Sequence, residues 1–248
     1  MQARQLRQAR EARGWTQARL AARLGVSQAY VSMLEGAKRP LPPPLARALL
    51  RELPLPASAA PIDPQLTYLD DAGLEVALAN LGYPGFAHIG RVRNPADAYN
   101  PAQALFLALQ RHDLDSRLVE ALPWVVLRHA DLDWDWLVER AKAADLQNQL
   151  GFVVTVARKL AARAGGNAAA RRLDPPLRRL ERARLAREDT LLRRRLSDAE
   201  RRWLRQHRTL DARHWNLLSD LKPEHLSYAP SRAAAALALV SRCLRRSP

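Results

Sequence analysis

The sequence predicts an all-α protein, with a small N-terminal domain of four to five helices followed by a larger helical domain. Three observations carry that expectation. Residues 5–53 hold apolar side chains at helical spacing, interrupted by a tight glycine turn. Leu53 to Pro64, LPLPASAAPIDP, is rich in Pro and Ala and lacks helical periodicity. Beyond it, a series of apolar-periodic stretches is separated by Pro- and Gly-containing breaks.

Gln5 to Arg13 forms a basic amphipathic helix, with Leu6 and Ala9 on one face and Gly14 as its cap. Thr16 caps a helix over Gln17 to Leu24. Gly25 supplies the left-handed backbone of a turn, because it has no Cβ to clash. Ser27 caps the next helix, Gln28 to Glu35. Two helices meeting steeply need a small residue at their closest approach, and Ala21 stands there; Leu20, Leu24, Val26, Val31 and Leu34 lock the pair together. After Gly36, the basic turn and proline run AKRPLPPP leads into a fourth helix over Pro44 to Leu53, opened by a proline where its missing N–H costs least. A short helix with a polar N-terminal end on such a frame fits a DNA major groove.

The string LRQAREARGWTQARLAARLGVSQAYVSMLEGAKRP resembles the Cro/repressor (XRE-type) helix-turn-helix domain over about the first 55 residues. The Trp15-Thr16-Gln17 start, the Leu24-Gly25-Val26-Ser27 turn and the Leu34-Glu35-Gly36 exit carry the likeness. The resemblance implies that Gln17 reaches a phosphate and braces Gln28, and that Gln28 reads a base edge, where a glutamine amide pairs with adenine. It places Ala29 and Met33 against the groove as apolar contacts, with the domain core as the other place for Met33, and Ser32 against a base or a phosphate. Ser27, Tyr30, Lys38 and Arg39 would position the DNA backbone, while Ala21, Gly25, Val26, Val31 and Leu34 hold the motif. Base-reading residues vary widely in this family, so the operator sequence does not follow.

The expected organisation is therefore a DNA-binding domain over 1–53, a semi-rigid linker over 54–64, an acidic helical domain over 65–166 and a basic helical segment over 167–248. In the acidic domain, helices are expected over Asp71 to Leu81, Pro101 to Arg111, Asp115 to Arg128, Trp134 to Ala144 and Leu146 to Ala164, with Pro123 kinking or breaking the third. A loop broken by Pro84, Gly85, Gly90 and Pro95 spans 82–100, and Gly165-Gly166-Asn167 ends the array. Asp174 to Leu221 reads as a long basic helical stretch, restarted by a capping box at Ser197 and Glu200. Leu173, Leu177 and Leu180 begin a seam that Arg184 and Arg187 interrupt, which argues against a regular coiled coil. Trp124, Trp134 and Trp136 are expected in the core, and Trp203 and Trp215 as anchors of the tail rather than as platforms for bases.

Charge divides the chain in the same way. Lys and Arg exceed the acids by 10 to 3 over 1–56, fall short by 7 to 13 over 57–157, and exceed them by 23 to 9 over 158–248, for a net +15. Basic segments favour polyanions through counterion release. Asp131, Asp133 and Asp135 alternate as in a calcium loop, but Trp136 stands where that loop needs glycine and Lys142 where it needs glutamate; a helix cap at Asp131 or Asp133 is the better assignment. The six histidines show no metal-ligand spacing, Cys243 is the single cysteine, and no phosphate loop or activated nucleophile appears. No catalytic residue, metal or cofactor is therefore expected. No apolar run is long enough to cross a membrane and no secretory segment follows the start, so a cytoplasmic location is expected.

These features imply a sequence-specific regulator, an autoregulating repressor acting as a homodimer on palindromic double-stranded DNA. Its C-terminal region would sense a signal or dock a protein partner, such as the toxin or defence component of a toxin–antitoxin or phage-defence operon. The alternative is a nucleic-acid-processing or defence-complex subunit that uses the N-terminal domain for targeting and the basic tail for nonspecific DNA or RNA binding.

Overall fold

The computed structural model describes residues 3–89, 99–129, 131–193, 195–226 and 228. Among them the protein is all-α, with strand limited to two residue pairs. It divides into two units, residues 1–104 and 105–248.

The first unit opens with α1 (Ala3–Ala12), α2 (Gln17–Leu24), α3 (Gln28–Glu35) and α4 (Pro43–Glu52), each within two residues of its expected span. α3 packs on α1 and α2, and α4 on α2. Their shared core is Leu6, Ala9, Leu20, Ala21, Val31, Leu34, Leu49 and Leu53, all buried, with Leu24 and Val26 partly buried against it. α5 (Asp71–Leu81) follows, capped by the Asp70 carboxylate and closed by Gly82 in the left-handed region at φ 91°.

The stretch expected to be an extended spacer is instead packed and pinned. Pro56 leads into a 3₁₀ turn at Ala57–Ala59, and Ala59 and Ala60 bury against Leu50. The buried Asn100 donates its amide to the carbonyls of Ala60 (2.7 Å) and Ser58 (3.3 Å). Gln103 accepts from Asp63 N (2.9 Å) and donates to the carbonyls of Asp63 (2.6 Å) and Leu66 (3.2 Å). Two distant side chains thus satisfy a backbone that has no helix or sheet to satisfy it. Accordingly, the division between units falls after Ala104 rather than within 54–64.

The second unit is built on α9 (Gln147–Arg163), whose middle buries Phe152, Val153, Val154, Val156, Ala157 and Leu160. Around it pack α7 (Ser116–Arg128), α8 (Trp134–Ala143), α10 (Asn167–Arg172), α11 (Asp174–Arg182) and α13 (Leu210–His214). α6 (Pro101–Leu109) spans the division between the units. α7 continues through Pro123 without breaking, with Pro123 itself buried. Asp133 caps α8, its carboxylate accepting from Trp136 N at 3.0 Å.

Two expectations fail in this unit. The stretch 174–221 is not helical throughout: α11 ends at Arg182, and β1 (Asp189–Thr190) pairs in parallel with β2 (Leu217–Leu218). α12 (Asp198–His207) starts anew from the reciprocal Ser197–Glu200 capping box. The buried start of α9 explains the break at 183–189. Gln147 donates to Ala183 O (3.1 Å), Asn148 exchanges hydrogen bonds with the Leu185 amide and carbonyl (2.9 Å each), and Gln149 donates to Asp189 Oδ2 (2.8 Å). The tryptophans are also redistributed. Trp124, Trp134 and Trp136 are half-buried. The core tryptophan is Trp215, 1% exposed, which donates to Thr155 Oγ1 (2.9 Å) and fills the space left by Gly151. Trp215 anchors the tail as expected, whereas Trp203 is 49% exposed and stacks on His207. Cys243 lies outside the described residues.

Candidate nucleic-acid interface

Local chemistry fixes the two helices before tertiary packing does. Thr16 Oγ1 accepts from Arg19 N (3.1 Å), capping α2, and Ser27 Oγ accepts from Tyr30 N (3.2 Å), capping α3. Between them Gly25 takes φ 66°, ψ 32°, so that the Val26 amide reaches back to Ala21 O at 3.0 Å. A side chain at 25 would be strained in that left-handed conformation even though nothing crowds it. Ala21 is buried and gives the close approach that two crossing helices require.

On this frame α3 presents two distinct faces. Val31 and Leu34 bury into the core, while Gln28, Ala29 and Ser32 are exposed. Gln28 and Ala29 occupy the first turn, where a recognition helix meets base edges. Met33 and Tyr30 are half-buried, and Tyr30 packs against the core cluster. Met33 thus stands between the two places considered for it. Lys38 and Arg39 are exposed just past the end of α3, where Ala37 adopts φ 55° and turns the chain. Ser27 spends an oxygen lone pair on its cap and keeps its hydroxyl proton to donate.

Gln17 is placed differently from the resemblance. Its Nε2 donates to Glu35 Oε2 at 2.9 Å, so it braces the end of α3 rather than Gln28 at its start. That bond belongs to a network the sequence reading missed. Arg10, on the buried face of α1, donates from Nε to Glu35 Oε1 (2.6 Å), from Nη2 to Oε2 (3.0 Å), and from Nη1 to the Trp15 carbonyl (2.6 Å). The Arg10 and Glu35 side chains are 9% and 4% exposed. Burial pushes the Glu35 carboxyl up, but the hydrogen bonds from Arg10 and Gln17 outweigh it and hold it below the usual carboxylate value. The hydrogen bond to Glu35 raises Arg10 above its ordinary value, against desolvation. The pair therefore stays charged and ties α1, the α1–α2 turn, α2 and α3 into one rigid body. A signal was present: Arg10 follows Leu6 by four residues on the apolar face, where an unpaired arginine would be costly.

Cations also surround Trp15, with the Arg13 and Arg19 guanidiniums 5.3 and 5.1 Å from its ring centre. Both arginines are exposed, as are Lys38 and Arg39. The arrangement offers amide and hydroxyl groups for base edges at the start of α3 and guanidinium and ammonium groups for phosphates around it.

Residues 3–58 match the family model of a helix-turn-helix domain. That span covers α1 to α4, the elements that build this surface. Compared with curated proteins and with solved structures, the chain has no match.

Proposed function

We propose that the chain, carrying a helix-turn-helix domain at residues 3–58, is a sequence-specific transcriptional regulator: a repressor that binds as a dimer to a two-fold operator. The observation that carries the reading is the split of α3, with Val31 and Leu34 locked inward while Gln28, Ala29 and Ser32 stand exposed on a helix braced at its far end by Glu35. One short recognition helix covers only a half-site, so two copies spaced by one helical turn of DNA, or a multiple of it, supply a full operator. Unit 2 then serves as the receiver that couples DNA binding to a signal or protein partner, as an antitoxin or defence-operon regulator requires.

Gln28→Ala tests the assignment on the full chain, using a preferred duplex obtained by selection and a scrambled duplex of equal length. Loss of a bidentate base contact costs about 1–3 kcal/mol of discrimination, roughly 5- to 150-fold. Nonspecific, salt-dependent affinity should persist, because the phosphate-contacting cations remain. Unchanged selectivity would remove Gln28 from base reading.

A further inference from the structure

Several acids of unit 2 are paired with cations of the same unit. Arg179 pairs with Asp135 and Glu139, Arg187 with Asp145 (3.4 Å), Arg158 with Asp174 (3.0 Å), Lys159 with Asp211 (2.6 Å), and Arg205 and Arg208 with Glu188 (2.8 and 3.4 Å). Three acids of the acidic stretch, Asp135, Glu139 and Asp145, are thus engaged by arginines of the basic stretch, and the second unit still holds arginine in surplus.

Part of that surplus is concentrated between residues 171 and 182. Arg178 and Arg182 lie one helical turn apart on the face of α11 opposite the buried Leu180, and both are exposed. Arg171 and Arg172, exposed at the end of α10, are separated from the start of α11 by the single residue Leu173. Among the described residues no carboxylate pairs with any of these four, whereas Arg179, on the adjoining face of the same helix, is paired with α8. Like charges four apart on a helix repel and weaken it, so folding gives no reason to hold Arg178 and Arg182 together. A polyanion does. Guanidinium groups on a regular helix face match the repeating phosphates of a nucleic-acid backbone, and each contact releases condensed counterions.

We propose that the outer face of α11, flanked by the end of α10, is a second and sequence-independent contact surface for the phosphate backbone of duplex DNA. It deepens the regulator reading and rests on it only for the class of partner. The surface adds affinity and salt sensitivity, while sequence is read by α3.

The test compares three full-length proteins on preferred and scrambled duplexes over a range of salt: wild type, the double variant Arg178→Gln/Arg182→Gln, and a control double variant, Arg158→Gln/Arg205→Gln. Both variants lose the same charge, but the control removes cations already paired with Asp174 and Glu188. Each duplex phosphate contact contributes about 0.9 to the slope of log affinity against log salt, so the α11 variant should lose about 1.8. That corresponds to roughly 60-fold weaker binding at 0.1 M salt, equally on both duplexes, with the melting temperature unchanged. The control should keep the wild-type slope. An α11 variant with wild-type slope overturns the proposal and points to another occupant, such as single-stranded RNA or an acidic protein. Equal losses in both doubles also overturn it, because net charge alone would explain them. A wild type that does not discriminate between duplexes defeats the regulator reading while leaving the slope comparison valid; one that binds no duplex defeats both.

Discussion

Removing Glu35 should loosen α3 far more than removing the whole Arg10–Glu35 pair. Glu35→Ala leaves the Arg10 guanidinium with its Trp15 carbonyl contact and the half-exposed Glu11 carboxylate at 3.5 Å but without its buried counterion, and frees the Gln17 amide. Breaking one side of a buried pair costs about 3–5 kcal/mol, and in a domain this small we take the lower end, about 3 kcal/mol. That equals a rise of roughly 150-fold in the population in which α3 is open. Arg10→Met/Glu35→Leu replaces both charges with apolar groups of similar reach, and such replacements are close to neutral or stabilising. Amide hydrogen exchange on the full chain resolves the two, because protection of Val31 and Leu34 reports α3 specifically. The single variant should lose about two orders of magnitude of protection there, and the double variant should retain most of it. The pair also sets an acid limit. Glu35 binds its proton more weakly in the folded than in the unfolded state, so its stabilisation is present above the ordinary carboxylate value and lost as pH falls through the depressed one. Equal protection in wild type and Glu35→Ala at neutral pH would refute the bracing role.

Two further outcomes concern unit 2. Burial holds His129 down to about 4, with Asp131 opposing and Arg128 adding to the shift. The folded imidazole therefore stays neutral where the unfolded one takes up a proton, and stability falls as pH drops from about 6.5 toward 4, by about 2 kcal/mol between pH 7 and 5. Urea unfolding at those two pH values should show the loss in wild type and not in His129→Leu; an identical loss in both would assign it elsewhere. Gly151→Ala places a Cβ into the six-membered ring of Trp215, which has no room to retreat because its indole nitrogen is bonded to Thr155. Overpacking of this kind costs about 1–3 kcal/mol, so the melting temperature should fall by about 2–12 °C with a change in tryptophan near-ultraviolet signal. An unaltered melting curve would mean that the α9–Trp215 contact is not a constraint.

How far the sequence could be read depends on how local the determining chemistry is. The caps at Thr16, Ser27 and Ser197 and the turn at Gly25 act within a few residues, and each appears where the sequence places it; of the two candidates Asp131 and Asp133, it is Asp133 that caps α8. The exposed start of α3 follows from the same local periodicity, so Gln28, Ala29 and Ser32 were legible as surface residues. What escaped depends on partners far apart along the chain. Arg10 and Glu35 meet only when α1 packs on α3. Asn100 and Gln103 bind backbone some forty residues upstream, turning an expected spacer into packed structure. The polar triplet Gln147-Asn148-Gln149 reads as a hydrophilic helix start, yet it is buried because it clasps residues 183–189 and stops α11 from continuing. Trp215 looked like one aromatic among arginines, and only the glycine opposite it at 151 makes it a core residue.

The most direct test of the regulator reading is footprinting of the purified full chain on the DNA upstream of its own coding sequence, titrated at two salt concentrations beside a scrambled duplex. The account predicts a two-fold symmetric protected site, with half-sites about 10–10.5 base pairs apart or a multiple of that, persisting at the higher salt. Protection indifferent to sequence that vanishes as salt rises would contradict it, leaving a protein that holds DNA by charge alone.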